Sequence, residues 1–145
     1  MVFDSQLEYR YFVEVVLPLH KQGEIISYEM QKVYELQPGF EHNGTSIRPI
    51  TYVADFVITY KDGHVEVIDT KGFPDPTAKL KRKLFWFKYP NLIYRWIGYS
   101  QIDGGWCDYE YIQKQRAVRR REKRKKLAEK EKAKQLKEQK EKKNE

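Results

Sequence analysis

Apolar residues recur at helical spacing at the start of the chain and then switch to strand-like alternation. In DSQLEYRYFVEVVLPLHKQGE, Phe12, Val15, Val16 and Leu19 make one stripe of a helix. Ser5, followed three residues later by Glu8, reads as a capping box at its start. Pro18 is expected to kink or end the helix, and Gly23 to close it. EIISYEMQKVYELQ is rich in strand formers, though its alternation is irregular, and Asn43-Gly44 signals a hairpin turn. ITYVADFVITY alternates cleanly: Tyr52, Ala54, Phe56, Ile58 and Tyr60 fall on one face, and Val53, Asp55, Val57 and Thr59 on the other. The turn Lys61-Asp62-Gly63 then delivers HVEVIDTKG. Three strands joined by tight turns predict an antiparallel meander.

PDPTAKLKRKLFWFKYP returns to helical character, with Asp75 as cap and Pro76 in the first helical position. Leu80, Leu84 and Phe87 are expected to form its buried stripe, with Lys79, Arg82, Lys83 and Trp86 on another face. NLIYRWIGY reads as a fourth strand, and the intervening helix is long enough to let it run parallel to an earlier one. Asp103-Gly104-Gly105 marks a boundary. From Tyr109 the chain has strong helical propensity and almost no apolar content. Val118, Leu127 and Leu136 are nine residues apart, which is no heptad, so this part is a solvated helix, a disordered tail or a mixture. The expected organisation is an α/β domain over residues 1–108 and an extension over 109–145.

Composition adds limits. One cysteine, Cys107, excludes an internal disulfide framework and fits a reducing compartment. No apolar run approaches the ~18 residues of a membrane span, and the N-terminus carries acids early, so neither a span nor a secretory signal is expected. The net charge of +7 is unevenly spread: residues 1–112 hold 12 basic and 15 acidic residues, whereas residues 113–145 hold 16 and 6. The extension alone is therefore at +10, which points to a polyanionic partner such as nucleic acid.

The chemistry concentrates on Val65–Phe73. Alternation puts Val65, Val67, Asp69 and Lys71 on one face, so a strand face that begins apolar ends in an acid and a lysine. A tight Lys61–Gly63 turn sets Asp55 opposite Asp69, with Cβ atoms ~5 Å apart. Two carboxylates that close repel unless a proton or a cation sits between them. Mg²⁺ suits one or two carboxylates with water and substrate phosphate, and a lysine facing the same way can hold an attacking water or offset developing charge.

Ala54-Asp55 … Asp69-Thr70-Lys71 resembles the PD-(D/E)XK nucleases, and the order helix, three-strand meander, helix, strand resembles their restriction-endonuclease-like αβββαβ core with a mixed sheet. The blocks YVADFVITYKDGHVEVIDTKGF and KLKRKLFWFKYP make residues 4–100 similar to a group of small phage and prophage proteins in that superfamily, including Holliday junction resolvase-like members. Ala54 stands where the name-giving proline would be. The resemblance implies an Mg²⁺- or Mn²⁺-dependent endonuclease acting on branched or double-stranded DNA in phage recombination or replication, in the host cytoplasm, and a homodimer where paired cuts are made. It implies Asp55 and Asp69 as metal ligands with the backbone carbonyl of Thr70, Lys71 as the catalytic lysine, and Glu8 as the acid of the first helix.

Several residues keep two readings. Glu8 is a ligand or the partner of Ser5 in a cap, with Glu14 as the substitute acid. Lys79, Arg82 and Lys83, with Arg95, are exposed cations or phosphate contacts. Arg119, Arg120 and Arg121 lead an extension that either attaches nucleic acid nonspecifically or is only solvated. Glu66 is expected on the face opposite Asp69. His20, His42 and His64 are too scattered for zinc. The rival to an enzyme is a noncatalytic nucleic-acid-binding protein acting through the basic extension.

Overall fold

Five strands between Ile25 and Asp108 assemble one mixed sheet, and two shorter ones a separate hairpin, in a computed structural model that describes residues 2–143. Before the sheet comes a continuous helical stretch: α1 (Gln6–Tyr11), a π-helical turn (Phe12–Val16) and α2 (Leu17–Lys21). Pro18 neither ends nor breaks it. The π turn, in which Leu17 N–H donates to the Phe12 carbonyl, widens the helix just ahead of the proline, whose ring would crowd a regular turn. Gly23, at φ +76°, closes the helix as expected, and Glu24 N–H donates back to the Leu19 carbonyl at 3.0 Å.

β1 (Ile25–Gln37), β4 (Ile50–Tyr60) and β5 (Val65–Thr70) form the antiparallel meander, and a small hairpin, β2 (Phe40–His42) and β3 (Thr45–Ile47), sits between β1 and β4 in sequence. α3 (Pro76–Lys88) crosses over to β6 (Ile93–Ser100), which runs parallel to β5. The boundary read at Asp103-Gly104-Gly105 is instead a turn: Gly104 and Gly105 take φ +104° and +96°, and β7 (Gly105–Asp108) folds back antiparallel on β6. The sheet order is β1-β4-β5-β6-β7. α4 (Tyr109–Lys143) makes the extension helical, and residues 144 and 145 of that predicted region lie outside the described residues. The chain divides into two units, the second beginning at Glu110. Among the described residues no helix is long and apolar enough to cross a membrane.

Each face of the sheet has its own core. Tyr11, Phe12 and Val16 pack on Ile25, Phe56, Ile58, Ile68 and Ile97. Phe85 of α3 packs on Tyr34, Leu36, Tyr52, Ala54, Val57 and Val67. The even positions of β4 were expected to share one face, but Tyr52 and Ala54 lie in the second core and Phe56 and Ile58 in the first. β1 changes phase at the same level, with Tyr28 and Met30 against the first core and Tyr34 and Leu36 in the second. The turnover lies at Gln31, whose φ of +54° flips the strand, and at Asp55 opposite it, where the β1–β4 pairing skips from Met30/Phe56 to Lys32/Ala54.

The inward face of α3 also differs from expectation. Leu80 and Phe87 are 57% and 88% exposed, and the side chain that fills the core is Phe85, at 0%. Arg82 occupies the neighbouring inward position by stacking its guanidinium 3.7 Å from the Trp96 ring centroid. Phe85→Ala is therefore expected to cost about 3–5 kcal/mol in urea denaturation, as for a fully buried aromatic ring, while Phe87→Ala changes stability by less than about 0.5 kcal/mol. Equal losses from the two substitutions would contradict this placement of α3.

Candidate active site

The β4–β5 hairpin turns through Lys61–Gly63, with Gly63 at φ +87° and its N–H on the Tyr60 carbonyl at 2.9 Å. The loop has three residues rather than two, and the register is still the expected one: Phe56 pairs with Ile68 and Val57 with Val67. The next level is Asp55 and Asp69, and there the backbone ladder gives way. Thr70 donates its N–H (2.7 Å) and its hydroxyl (2.8 Å) to Asp55 Oδ2. A strand residue's N–H and C=O point to the same side, so the Thr70 carbonyl is also turned toward β4.

Asp69 is buried, and its Oδ2 lies 2.7 Å from Lys71 Nζ. That approach is an ion pair without the alignment of a hydrogen bond, for among the described residues Oδ2 and the buried Tyr52 hydroxyl have no well-formed hydrogen bond. Burial pushes the Asp69 carboxyl above its ordinary value despite Lys71. Asp55 rises further, to about 7, because burial disfavours its charge and Asp69 stands beside it; the Thr70 bonds only partly offset this. Burial and the Asp69 charge also raise the Tyr52 phenol, which stays a neutral O–H donor. These groups open into a cleft of about 330 Å³, bordered on the helical side by Asp75, Thr77, Ala78 and Lys81. The N-terminal turn of α3 is at its rim because Asp75 caps Ala78 N–H at 2.7 Å and Pro76 starts the helix.

A family model described as "Protein of unknown function (DUF1064)" matches residues 1–102. The chain belongs to this family. Among curated proteins, none matches. The DUF1064 match takes in every residue of the cleft and stops before β7 and α4.

The other predicted residues separate into those near the cleft and those elsewhere. Glu8 is buried with both carboxylate oxygens engaged, Oε2 by Asp4 N–H at 2.8 Å and Oε1 by Gln31 Nε2 at 2.7 Å. Ser5 Oγ accepts from Glu8 N–H at 3.1 Å, so the cap exists, with the reciprocal bond going to Asp4 rather than to Ser5. Burial raises the Glu8 carboxyl, and the Asp55 charge adds to the effect. Among the described residues no group of three or more His, Cys, Asp and Glu gathers as a metal site, and both Glu8 oxygens are taken up by Asp4 and Gln31. Glu14 is bound to Arg10 at 3.0 Å and to Trp106 at 2.7 Å. Arg95 is on the opposite face from Asp69, tied to Glu66 and Asp108 at 3.0 Å each, and so lies away from the cleft. Glu66 is thus on the face foreseen for it. Lys79 and Lys83 are exposed on α3, and Arg119, Arg120 and Arg121 belong to α4.

Three participants went unforeseen. Lys81 lines the cleft because the inward face of α3 is that of Phe85 and Arg82 rather than of Leu80 and Phe87. Tyr52 and Gln31 depend on the phase change of β1 and β4, for which the sequence carries no turn signal.

In metal-free protein Asp55 keeps its proton to about pH 7, whereas the unfolded chain releases it near 3.8. The folded state then binds more protons between those values, so stability is expected to fall as pH rises from about 4 to about 7, with Asp69 acting in the same sense. Asp55→Asn keeps an oxygen for the Thr70 bonds and removes the charge. Unfolding measured in EDTA at pH 5 and pH 8 should show most of that fall abolished, with neutral-pH stability higher by on the order of 2–4 kcal/mol. A wild-type protein whose stability climbs across this interval would exclude the paired-acid arrangement.

Proposed function

We propose that the protein is a divalent-cation-dependent endonuclease of the PD-(D/E)XK type that hydrolyses DNA phosphodiester bonds. The observation that carries this reading is the pair Asp55 and Asp69, set together at a strand end with Lys71 Nζ 2.7 Å from Asp69. A noncatalytic binder gains nothing from two adjacent acids, which repel the phosphate they line up with.

The residues fit Mg²⁺ or Mn²⁺. Asp69 Oδ2 is a buried carboxylate oxygen with no aligned donor, Asp55 is beside it, and the Thr70 carbonyl is turned the same way. Two carboxylates and a carbonyl are hard oxygen donors, and Mg²⁺ takes one or two carboxylates and completes its shell with water and phosphate. When bound, such an ion polarises the phosphoryl oxygen and lowers the pKa of the attacking water.

The chain's own groups supply the rest. Thr70 fixes the Asp55 carboxylate through two hydrogen bonds, which removes the freedom it would otherwise lose on binding a ligand. Lys71 Nζ is positioned to hold the attacking water or to offset charge that builds on the phosphate oxygens. Hydrolysis adds the water oxygen to phosphorus and expels one ester oxygen, which leaves with a proton. Lys81, at the rim, attracts the substrate phosphate. The same reading sets the activity in recombination or replication of phage DNA in the host cytoplasm, on branched or double-stranded DNA, with a homodimer where two strands are cut. The +10 charge of residues 113–145 favours a second contribution, nonspecific attachment that falls steeply with salt.

Purified protein is expected to cut DNA with Mn²⁺ or Mg²⁺ and to stop in EDTA. Asp69→Ala should leave no detectable product, and Lys71→Ala should slow cutting by about 100-fold or more. Deleting residues 113–145 should weaken DNA attachment and its salt dependence while cutting persists. Undiminished cutting by the Asp69 or Lys71 variant defeats the assignment. Binding that vanishes with the tail, with no metal-dependent product from any DNA form, would establish the noncatalytic reading instead.

A further inference from the structure

Large apolar side chains lie bare beside the cleft. Phe73, two residues past Lys71, is 92% exposed, and α3 continues from it with Leu80 and Phe87 facing solvent and Trp86 at 47% exposure. On a helical projection Lys79, Trp86, Lys83, Phe87 and Leu80 occupy one side of α3, within about 120°. Rings and lysines therefore alternate on a single surface. Between Pro76 and Lys88 there are five basic residues and no acid.

That charge decides between occupants. A second copy of the chain docking α3 against α3 would bring two acid-free basic helices together, which is unfavourable. A polyanion with flat apolar faces is matched by both features. Paired bases in a duplex hide those faces in the stack, whereas a strand with unpaired bases presents them to aromatic side chains and its phosphates to lysines. The link to the cleft is Phe73, two residues past Lys71 and just ahead of α3; Asp75, Thr77 and Ala78 line the cleft from the other side of the helix, which runs on for about 20 Å.

We infer that Phe73 and the solvent side of α3 form a track that stacks the unpaired bases of a DNA strand and leads that strand into the Asp55–Asp69 cleft. The inference rests on the nuclease reading for the identity of its ligand, and it narrows the substrate to DNA with a single-stranded segment next to the bond that is cut. Phe73 is the ring nearest Lys71 in the chain and meets the base closest to that bond. Phe87 and Trp86 serve bases farther along, with Lys79 and Lys83 on the phosphates between.

The test uses the full chain in EDTA, so that nothing is cut, with a fluorescent 20-nucleotide oligo(dT) and a 20-base-pair duplex followed by anisotropy. Phe73→Ala/Phe87→Ala changes only exposed rings and is expected to keep the wild-type unfolding curve. It should weaken oligo(dT) binding at least tenfold and duplex binding less than about threefold. Lys79→Gln/Lys83→Gln should lower the salt slope of oligo(dT) binding by ~1.4, as for two phosphate contacts on a single strand. Equal losses on both probes, or none, overturn the track. So does a ring variant that binds oligo(dT) normally but loses self-association in sedimentation or adhesion to phosphatidylglycerol vesicles, since the surface then belongs to a second copy or to lipid. Parallel reactions with Mn²⁺ separate this from the nuclease reading. Cutting by the ring variant with unaltered preference between the probes sinks the track alone. No cutting of any DNA by wild type sinks the nuclease reading, and the EDTA measurements still decide whether the track exists.

Discussion

Two carboxylates held side by side at the end of the β4–β5 ladder are the constraint on which the other arrangements depend. Backbone pairing brings Asp55 and Asp69 to the same level, and burial makes their shared negative charge unfavourable. The surroundings offset only part of this: Thr70 gives two donors to Asp55, and Lys71 stands against Asp69. What remains is a site whose Asp55 carboxyl is pushed up to about 7. Stored electrostatic cost of this kind is typical of places where a fold does chemistry rather than where it gains stability.

The sheet is built so that both acids reach the cleft. β1 and β4 turn over together at Gln31 and Asp55, so the strands serve the N-terminal helix at one end and α3 at the other. Gln31 then donates to Glu8, which ties α1 to the level of the turnover. Glu8 thus works as a buried brace, and the charge of Asp55 adds to the burial that raises its carboxyl.

Much of this was legible in the residues. The meander, its register, the parallel fourth strand and the trio Asp55, Asp69 and Lys71 follow from period-two alternation and turn chemistry, which are local rules. The failures share a different origin. Pro18 is absorbed by a π turn, and the phase change at Gln31 needs a left-handed residue with no glycine to announce it. On α3 the apolar stripe Leu80, Leu84 and Phe87 looked like the buried face, but cation–ring stacking let Arg82 share the interior with Phe85 and left two of those three residues in water. Hydrophobicity alone cannot reveal an aromatic surface that stays exposed. Arg95 illustrates the same limit: whether a cation is free depends on partners, Glu66 and Asp108, that only the fold brings to it.

A basic, ring-bearing helix and an acidic pair share one unit, and the other unit is a helix of strong positive charge. The central claim remains that the acids face one another closely enough to share an ion. Crystals soaked in manganese and measured at a wavelength where manganese scatters anomalously test this most directly. The account predicts a peak touching both the Asp55 and the Asp69 carboxylates, lost in Asp69→Ala crystals. Carboxylates turned apart, with no peak at either, would contradict it.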